Sequence, residues 1–174
     1  DGADIYADTV GMVCPFLYRY GLLSGESAFV KMGVMQIVHF LDGGRDVKSG
    51  LPYHGFNSRT GVKYGCVGWG RAVGWLMLGM AESLAVLPEN TPQFPFIQGH
   101  LQNLTRRAVD FQRPDGSFSW LLPAFEGPAD TSATRYAGEP TSFPTRQPSG
   151  SVDTPRAWAV SPTTDATATG ATDA

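Results

Sequence analysis

Four stretches of this chain repeat apolar residues at spacings of three and four, the rhythm of a helix with one face turned to a core. That repetition limits the possible fold more than any other feature. Thr9 to Leu23 carries Met12, Val13, Phe16, Leu17 and Tyr20, the expected buried face of the first helix. Glu26 to Leu41 repeats the pattern with Phe29, Val30, Val34, Ile37, Val38 and Leu41. Arg71 to Leu87 continues it through Trp75, Leu76, Leu78, Met80, Leu84 and Val86, closed by Pro88. The fourth stretch, Phe94 to Phe111, includes Phe96, Ile97, Leu101, Leu104 and Ala108. Asp42-Gly43-Gly44 is expected to stop the second helix, because glycine tolerates the left-handed backbone of a helix end. No segment alternates strongly enough to nucleate a sheet. Paired helices with longer loops between the pairs predict an all-α protein forming part of an α/α toroid, its long loops at one mouth. Four helices make only part of such a ring.

Composition changes abruptly near Thr131. Residues 1 to 130 hold every helical pattern and form the expected toroidal part. Residues 131 to 174 contain no Leu, Ile or Met, and 31 of those 44 residues are Thr, Ser, Ala, Pro or Gly. Such a segment buries too little apolar surface to offset its ordering entropy, so it is expected to be a disordered tail, or one produced by a frameshift or read-through. The chain opens Asp1-Gly2-Ala3-Asp4, with no initiator methionine and no apolar leader, and is read as starting inside a longer protein. A net charge of -3 argues against a basic nucleic-acid surface. No apolar run reaches the roughly 18 residues that a membrane helix needs. Cys14 and Cys66 are too few for a disulfide scaffold or a zinc site and are expected to be buried apolar thiols.

Asp8 stands where the first helix starts. A carboxylate there can cap the helix by accepting backbone N–H bonds; set among Tyr6 and Met12, it can instead serve as a general acid. Asp4 is a weaker competitor, outside the periodic pattern. Of three histidines, His39 and His100 fall within helices without metal-ligand spacing, whereas His54 lies in a loop between Tyr53 and Phe56 and suits ligand contact. The segment Gly68-Trp69-Gly70-Arg71-Ala72-Val73-Gly74-Trp75 sets two tryptophans around an arginine. Indole rings stack on the apolar face of a sugar and a guanidinium grips a carboxylate, a combination suited to an acidic carbohydrate. The competing reading is core tryptophans with a surface arginine. No Gly-x-Ser-x-Gly elbow marks a serine nucleophile.

Three ordered motifs carry a family resemblance: Asp8-Thr-Val-Gly-Met-Val-Cys-Pro-Phe-Leu17, Tyr53-His-Gly-Phe56, and Trp69-Gly-Arg-Ala-Val-Gly-Trp75. Together they resemble the unsaturated glucuronyl and rhamnogalacturonyl hydrolases of glycoside hydrolase families 88 and 105, more closely the second. The similarity runs over about residues 5 to 134. It implies a C-terminal part of an (α/α)6 barrel and removal of a terminal 4,5-unsaturated uronic acid from a lyase-generated acidic oligosaccharide, such as a product of pectin breakdown. Asp8 matches the family's general acid and base, which protonates C4 before water adds at C5. Tyr6 matches an aromatic near the substrate, His54 a substrate-contacting histidine, and Trp69, Arg71 and Trp75 the sugar-facing wall. The resemblance implies no metal or organic cofactor and favours a cytoplasmic location. The family's usual Gly-Asn after the motif's arginine is Ala72-Val73 here. Two rival readings are a carbohydrate-binding or inactive relic toroid, which needs no Asp8, and an inverting glycosidase, whose second acid would have to be Glu82 or Asp115.

Overall fold

Residues 3–138 are described by the computed structural model of the chain. Helix α1 (Ala7–Ser24) ends on Gly25, whose left-handed backbone (φ 74°) lets the chain reverse at once into α2 (Ser27–Gly43). A long connection leads to α3 (Gly70–Val86) and a short one to α4 (Gln93–Val109). All four helices begin and end within two residues of the periodic stretches. The core lies where α1, α2, α3 and α4 meet, built from Val10, Cys14 and Tyr18, from Val34, Ile37 and Phe40, from Leu76 and Met80, and from Ile97 and Leu104. Small residues let the axes come close: a Cβ placed on Gly11 would stand 2.5 Å from the Trp75 carbonyl oxygen, and one on Gly33 2.5 Å from the Tyr18 ring. At the centre of this packing the Ser83 hydroxyl donates to the Gly79 carbonyl, so the Tyr18 hydroxyl, 2.6 Å from Ser83 Oγ, donates to Ser83.

Several expectations change at this level. The predicted inner face of α1 is mostly outside: Met12, Val13, Phe16 and Tyr20 are exposed and only Leu17 is buried, while Val10, Cys14 and Tyr18 take the core positions. The helix is apolar nearly all round, so a three-and-four spacing fits either face; two apolar faces mark a helix shaped to be covered on both sides. Gly44 is not left-handed (φ −92°). Glycine is needed at 43 and 44 for space, since a Cβ on Gly43 would collide with the Phe56 ring and one on Gly44 with the Phe40 ring.

A small antiparallel sheet also forms, from β1 (Asp4–Tyr6), β2 (Gly55–Asn57) and β3 (Lys63–Tyr64) in that order. Strands of two or three residues are too short to show alternation, and their pairing joins segments about fifty residues apart, which local pattern does not reveal. The segment beginning at 131 opens with a helix, α5 (Thr131–Gly138), and Ala133 is fully buried. A short helix needs few apolar residues when a larger element offers a surface to dock on; here Ala133 meets Gly70 of α3. The rest of the expected tail lies outside the described residues. Among the described residues no helix is long and apolar enough to cross a membrane.

The two cysteines differ. Cys14 is buried, and burial pushes its thiol up to about 12, partly offset by a hydrogen bond with Tyr18. Cys66 is exposed, contrary to expectation, because it sits in the loop before α3 rather than on a helix face. A thiolate reagent at neutral pH is expected to modify one thiol per folded chain and two after denaturation, and mass mapping should place the first on Cys66.

Candidate active site

The short sheet assembles the site. Tyr6 pairs with Gly55 at the end of β1–β2, and the Ala7 N–H donates to the His54 carbonyl at 2.9 Å. These bonds fix the first turn of α1 against the His54 loop. Asp8 is therefore the second residue of the helix rather than its cap; Tyr6 holds the capping position and no side chain caps the helix. Freed from that duty, the Asp8 carboxylate points to its neighbours. His54 Nε2 lies 2.9 Å from Oδ2 and Arg71 Nε 3.9 Å from Oδ1. The His54 contact is at ion-pairing distance, and Oδ2 is shielded from solvent.

Aromatic rings frame this carboxylate. Tyr6 stands 5.1 Å from the His54 ring and stacks on Tyr64 at 6.0 Å, while the His54 ring meets Trp69 edge-on at 4.7 Å. Arg71 lies over the Trp69 ring at 4.2 Å, a cation–π contact that holds the guanidinium while half its side chain faces solvent. Loop bonds set the start of α3: the Gly68 N–H donates to the Pro52 carbonyl and the Gly70 N–H to the Trp120 carbonyl, each at 2.8 Å. Trp75, one turn beyond Arg71, is half-buried, with its backbone against Gly11 of α1. Tyr6, Asp8, His54, Trp69 and Arg71 thus form one cluster, with Trp75 flanking it at the α1–α3 crossing.

Other sequence candidates lie elsewhere. Asp4 accepts hydrogen bonds from Asn57 and the Tyr64 hydroxyl and so braces the sheet. Glu82 pairs with Arg19 at 3.1 Å near the far end of α3, and Asp115 holds its own turn through the Ser117 N–H. Neither stands beside Asp8 as a second acid. Among the described residues no three His, Cys, Asp or Glu side chains converge as a metal set.

Two neighbours escaped the sequence reading. Tyr64 extends the aromatic stack from a strand too short to detect. Asp130 precedes α5 and accepts from the backbone N–H groups of Ser132 and Ala133, the arrangement of an N-cap. The signal for it, Asp-Thr-Ser-Ala ahead of a helix, was hidden by the change in composition. Burial pushes the Asp130 carboxyl up, but hydrogen bonds from Ser132 and Ala133 and the nearby Arg71 outweigh it and hold the group below the usual carboxylate range. A depressed folded value stabilises the fold above the unfolded carboxylate range, and that contribution is lost as pH falls through the folded value. Asp130→Ala is expected to cost about 1 kcal/mol at pH 7. Its thermal stability should also fall less steeply than the parent's between pH 5 and 3, as measured by calorimetry.

This helical arrangement belongs to a known class. The chain is a member of glycosyl hydrolase family 88, whose family model matches residues 3–136. It is 27% identical over 129 residues to the unsaturated rhamnogalacturonyl hydrolase YesR of Bacillus subtilis (strain 168), covering 74% of this chain and 38% of that protein. Solved structures with the same fold include a family 105 glycoside hydrolase of C. acetobutylicum (TM-score 0.68, 23% identity, 78% of this chain and 41% of that one). A possible family 105 member from Klebsiella pneumoniae is similar too (TM-score 0.66, 22% identity, 75% of this chain and 35% of that one). The chain has the fold of part of such a toroid and spans well under half the length of these relatives.

Proposed function

We propose that these residues form part of the active site of an unsaturated uronyl hydrolase in which Asp8 is the general acid and base. The observation that supports this most is the Asp8 carboxylate, which does not cap its helix and lies 2.9 Å from His54 Nε2 and 3.9 Å from Arg71 Nε within a frame of aromatic rings. A carboxylate that spends no lone pair on capping backbone N–H groups keeps it for a proton. In the reaction, protonated Asp8 gives its proton to C4 of the substrate's C4=C5 double bond and positive charge develops at C5. Water then adds its oxygen to C5 and returns a proton to the Asp8 carboxylate. The resulting C5 hemiketal opens by breaking its bond to the ring oxygen, which leaves a ketone at C5 and a hemiacetal at C1; the hemiacetal then collapses to an aldehyde and releases the rest of the oligosaccharide as an alcohol. One carboxyl serves both steps because the bond attacked first is an alkene, unlike the two-carboxylate cleavage of a saturated glycoside. Arg71, fixed over Trp69 and still half open to solvent, is placed to pair with the uronate carboxylate. Tyr6, His54, Trp69 and Trp75 supply surfaces for the sugar ring.

The substrate is an acidic oligosaccharide with an unsaturated uronic acid at its end, and rhamnogalacturonan products are the first to test. A family-length polypeptide carrying these residues is expected to bleach the ultraviolet absorbance of the unsaturated sugar and to leave the saturated counterpart intact. Turnover of the saturated sugar instead would replace this reading with that of an ordinary glycosidase.

A further inference from the structure

Away from the Asp8 cluster, basic side chains gather between the ends of α2 and α4. Arg45 Nε donates to the Leu41 carbonyl at the end of α2, and Ser49 ties the following turn to the Asp46 carboxylate through its N–H and hydroxyl. Arg107, in the last turn of α4, donates to the Ser49 carbonyl at 3.1 Å and closes the two elements on each other. Between them lies a cavity of about 380 Å³ lined by Arg45, Lys48, His100, Asn103, Arg106 and Arg107, among others. Acids outnumber bases in this chain, 16 to 13, yet among the described residues no carboxylate lines the cavity. The nearby carboxylates are engaged: Asp42 lies close to Arg45, Asp46 holds Ser49 and faces Lys48, and Asp110 pairs with Arg107 at 3.0 Å. Among the described residues, the hydrogen-bond partner of the Arg106 guanidinium is Asn103 Oδ1, a neutral group, at 3.2 Å. Burial, and then Arg45, keep His100 below the ordinary histidine range, so at neutral pH it adds a neutral hydrogen-bonding group.

The position of the cavity points to a function. Short connections make α1 and α2, and likewise α3 and α4, run antiparallel. The ends of α2 and α4 therefore lie at the same end of the layer as Asp8 and Arg71, at the starts of α1 and α3. Gly50 lines the cavity and His54 lines the Asp8 cluster. Four residues of chain span at most about 14 Å, within reach of a short oligosaccharide.

We propose that this cavity is a subsite for a carboxylate-bearing sugar, holding an acidic unit of the oligosaccharide remote from its unsaturated end. The assignment rests on the uronyl hydrolase reading for the identity of the ligand, but binding here does not need Asp8. The test uses the whole 174-residue chain and a saturated oligogalacturonate, which has no double bond to react. Calorimetric titration should show saturable binding, weakened at least tenfold in Lys48→Gln/Arg106→Gln and unchanged in the control Lys31→Gln, an exposed charge on α2 outside the cavity. Both substituted side chains are exposed, so the fold is retained. Affinity unaltered in the double variant, or equal affinity for a neutral oligosaccharide, would overturn the proposal. Inorganic sulfate binding while the oligogalacturonate does not would reassign the cavity to small free anions and also overturn it. Oligogalacturonate binding that depends on Lys48 and Arg106, together with a family-length polypeptide that does not bleach unsaturated sugars, would uphold the subsite and remove the hydrolase reading instead.

Discussion

Asp8→Asn is expected to lower the rate of double-bond hydration by about 10²- to 10⁴-fold, the usual contribution of a positioned general acid or base. The amide has the carboxylate's shape but neither gives nor takes a proton at neutral pH, so the substitution separates chemistry from architecture. Architecture should survive, because Asp8 does not cap α1 and the amide matches the carboxylate in shape. The measurement is the decay of the unsaturated sugar's absorbance in a family-length polypeptide, beside a thermal melt of the same preparation. A lost rate with an unchanged melt is the expected pair. Retained activity would remove Asp8 from the chemistry and favour a carbohydrate-binding role for the aromatic wall. His54→Gln in the same assay should retain more activity than Asp8→Asn under the proposed roles, in which His54 touches the sugar and Asp8 carries the proton.

The second large effect concerns stability. Gly11→Val is expected to cost about 3 kcal/mol, at the upper end of overpacking penalties. A Cβ at position 11 falls 2.5 Å from the Trp75 carbonyl oxygen and 2.7 Å from the Trp75 Cβ. Both atoms are fixed by α3 itself, so no rotamer change relieves the clash; the helices must move apart. That movement would also carry Asp8, less than one turn away on α1, from Arg71, about one turn away on α3. Gly99→Ala is the matched control. Position 99 lies within α4 with open space around it, and alanine there should stabilise by about 0.5–1 kcal/mol. Opposite signs for the two substitutions in denaturant titrations are the expected result. A Gly11→Val chain as stable as the parent would show that α1 and α3 are not in contact there.

Some of this architecture was legible before any coordinates. The four helices follow from spacing alone, because amphipathic periodicity is a local property of consecutive residues. The direction in which a helix faces its core is not local when the helix is apolar on two sides. That is why Met12, Val13, Phe16 and Tyr20 look like core and stand outside, while the less conspicuous Val10, Cys14 and Tyr18 lie within. Gly43 and Gly44 end α2 as their sequence suggests, yet through the space they leave for Phe56 and Phe40 rather than through a left-handed backbone. Cys66 looks like Cys14 in composition and differs only in being on a loop.

The sequence alone determined the helical class, the pairing of helices and the kinds of side chain available for chemistry, since each depends on short-range order and residue type. It left open whether Asp8 was a helix cap, and whether Trp69 and Arg71 stood near it or were unrelated core and surface residues. Tertiary structure decided both. Three strands of three residues or fewer, invisible to periodicity, hold His54 over the first turn of α1, and the Gly11 crossing draws α3 alongside. Residues 8, 54 and 71 meet because backbone hydrogen bonds and close helix packing act between segments distant in the chain, and that is information no local pattern contains.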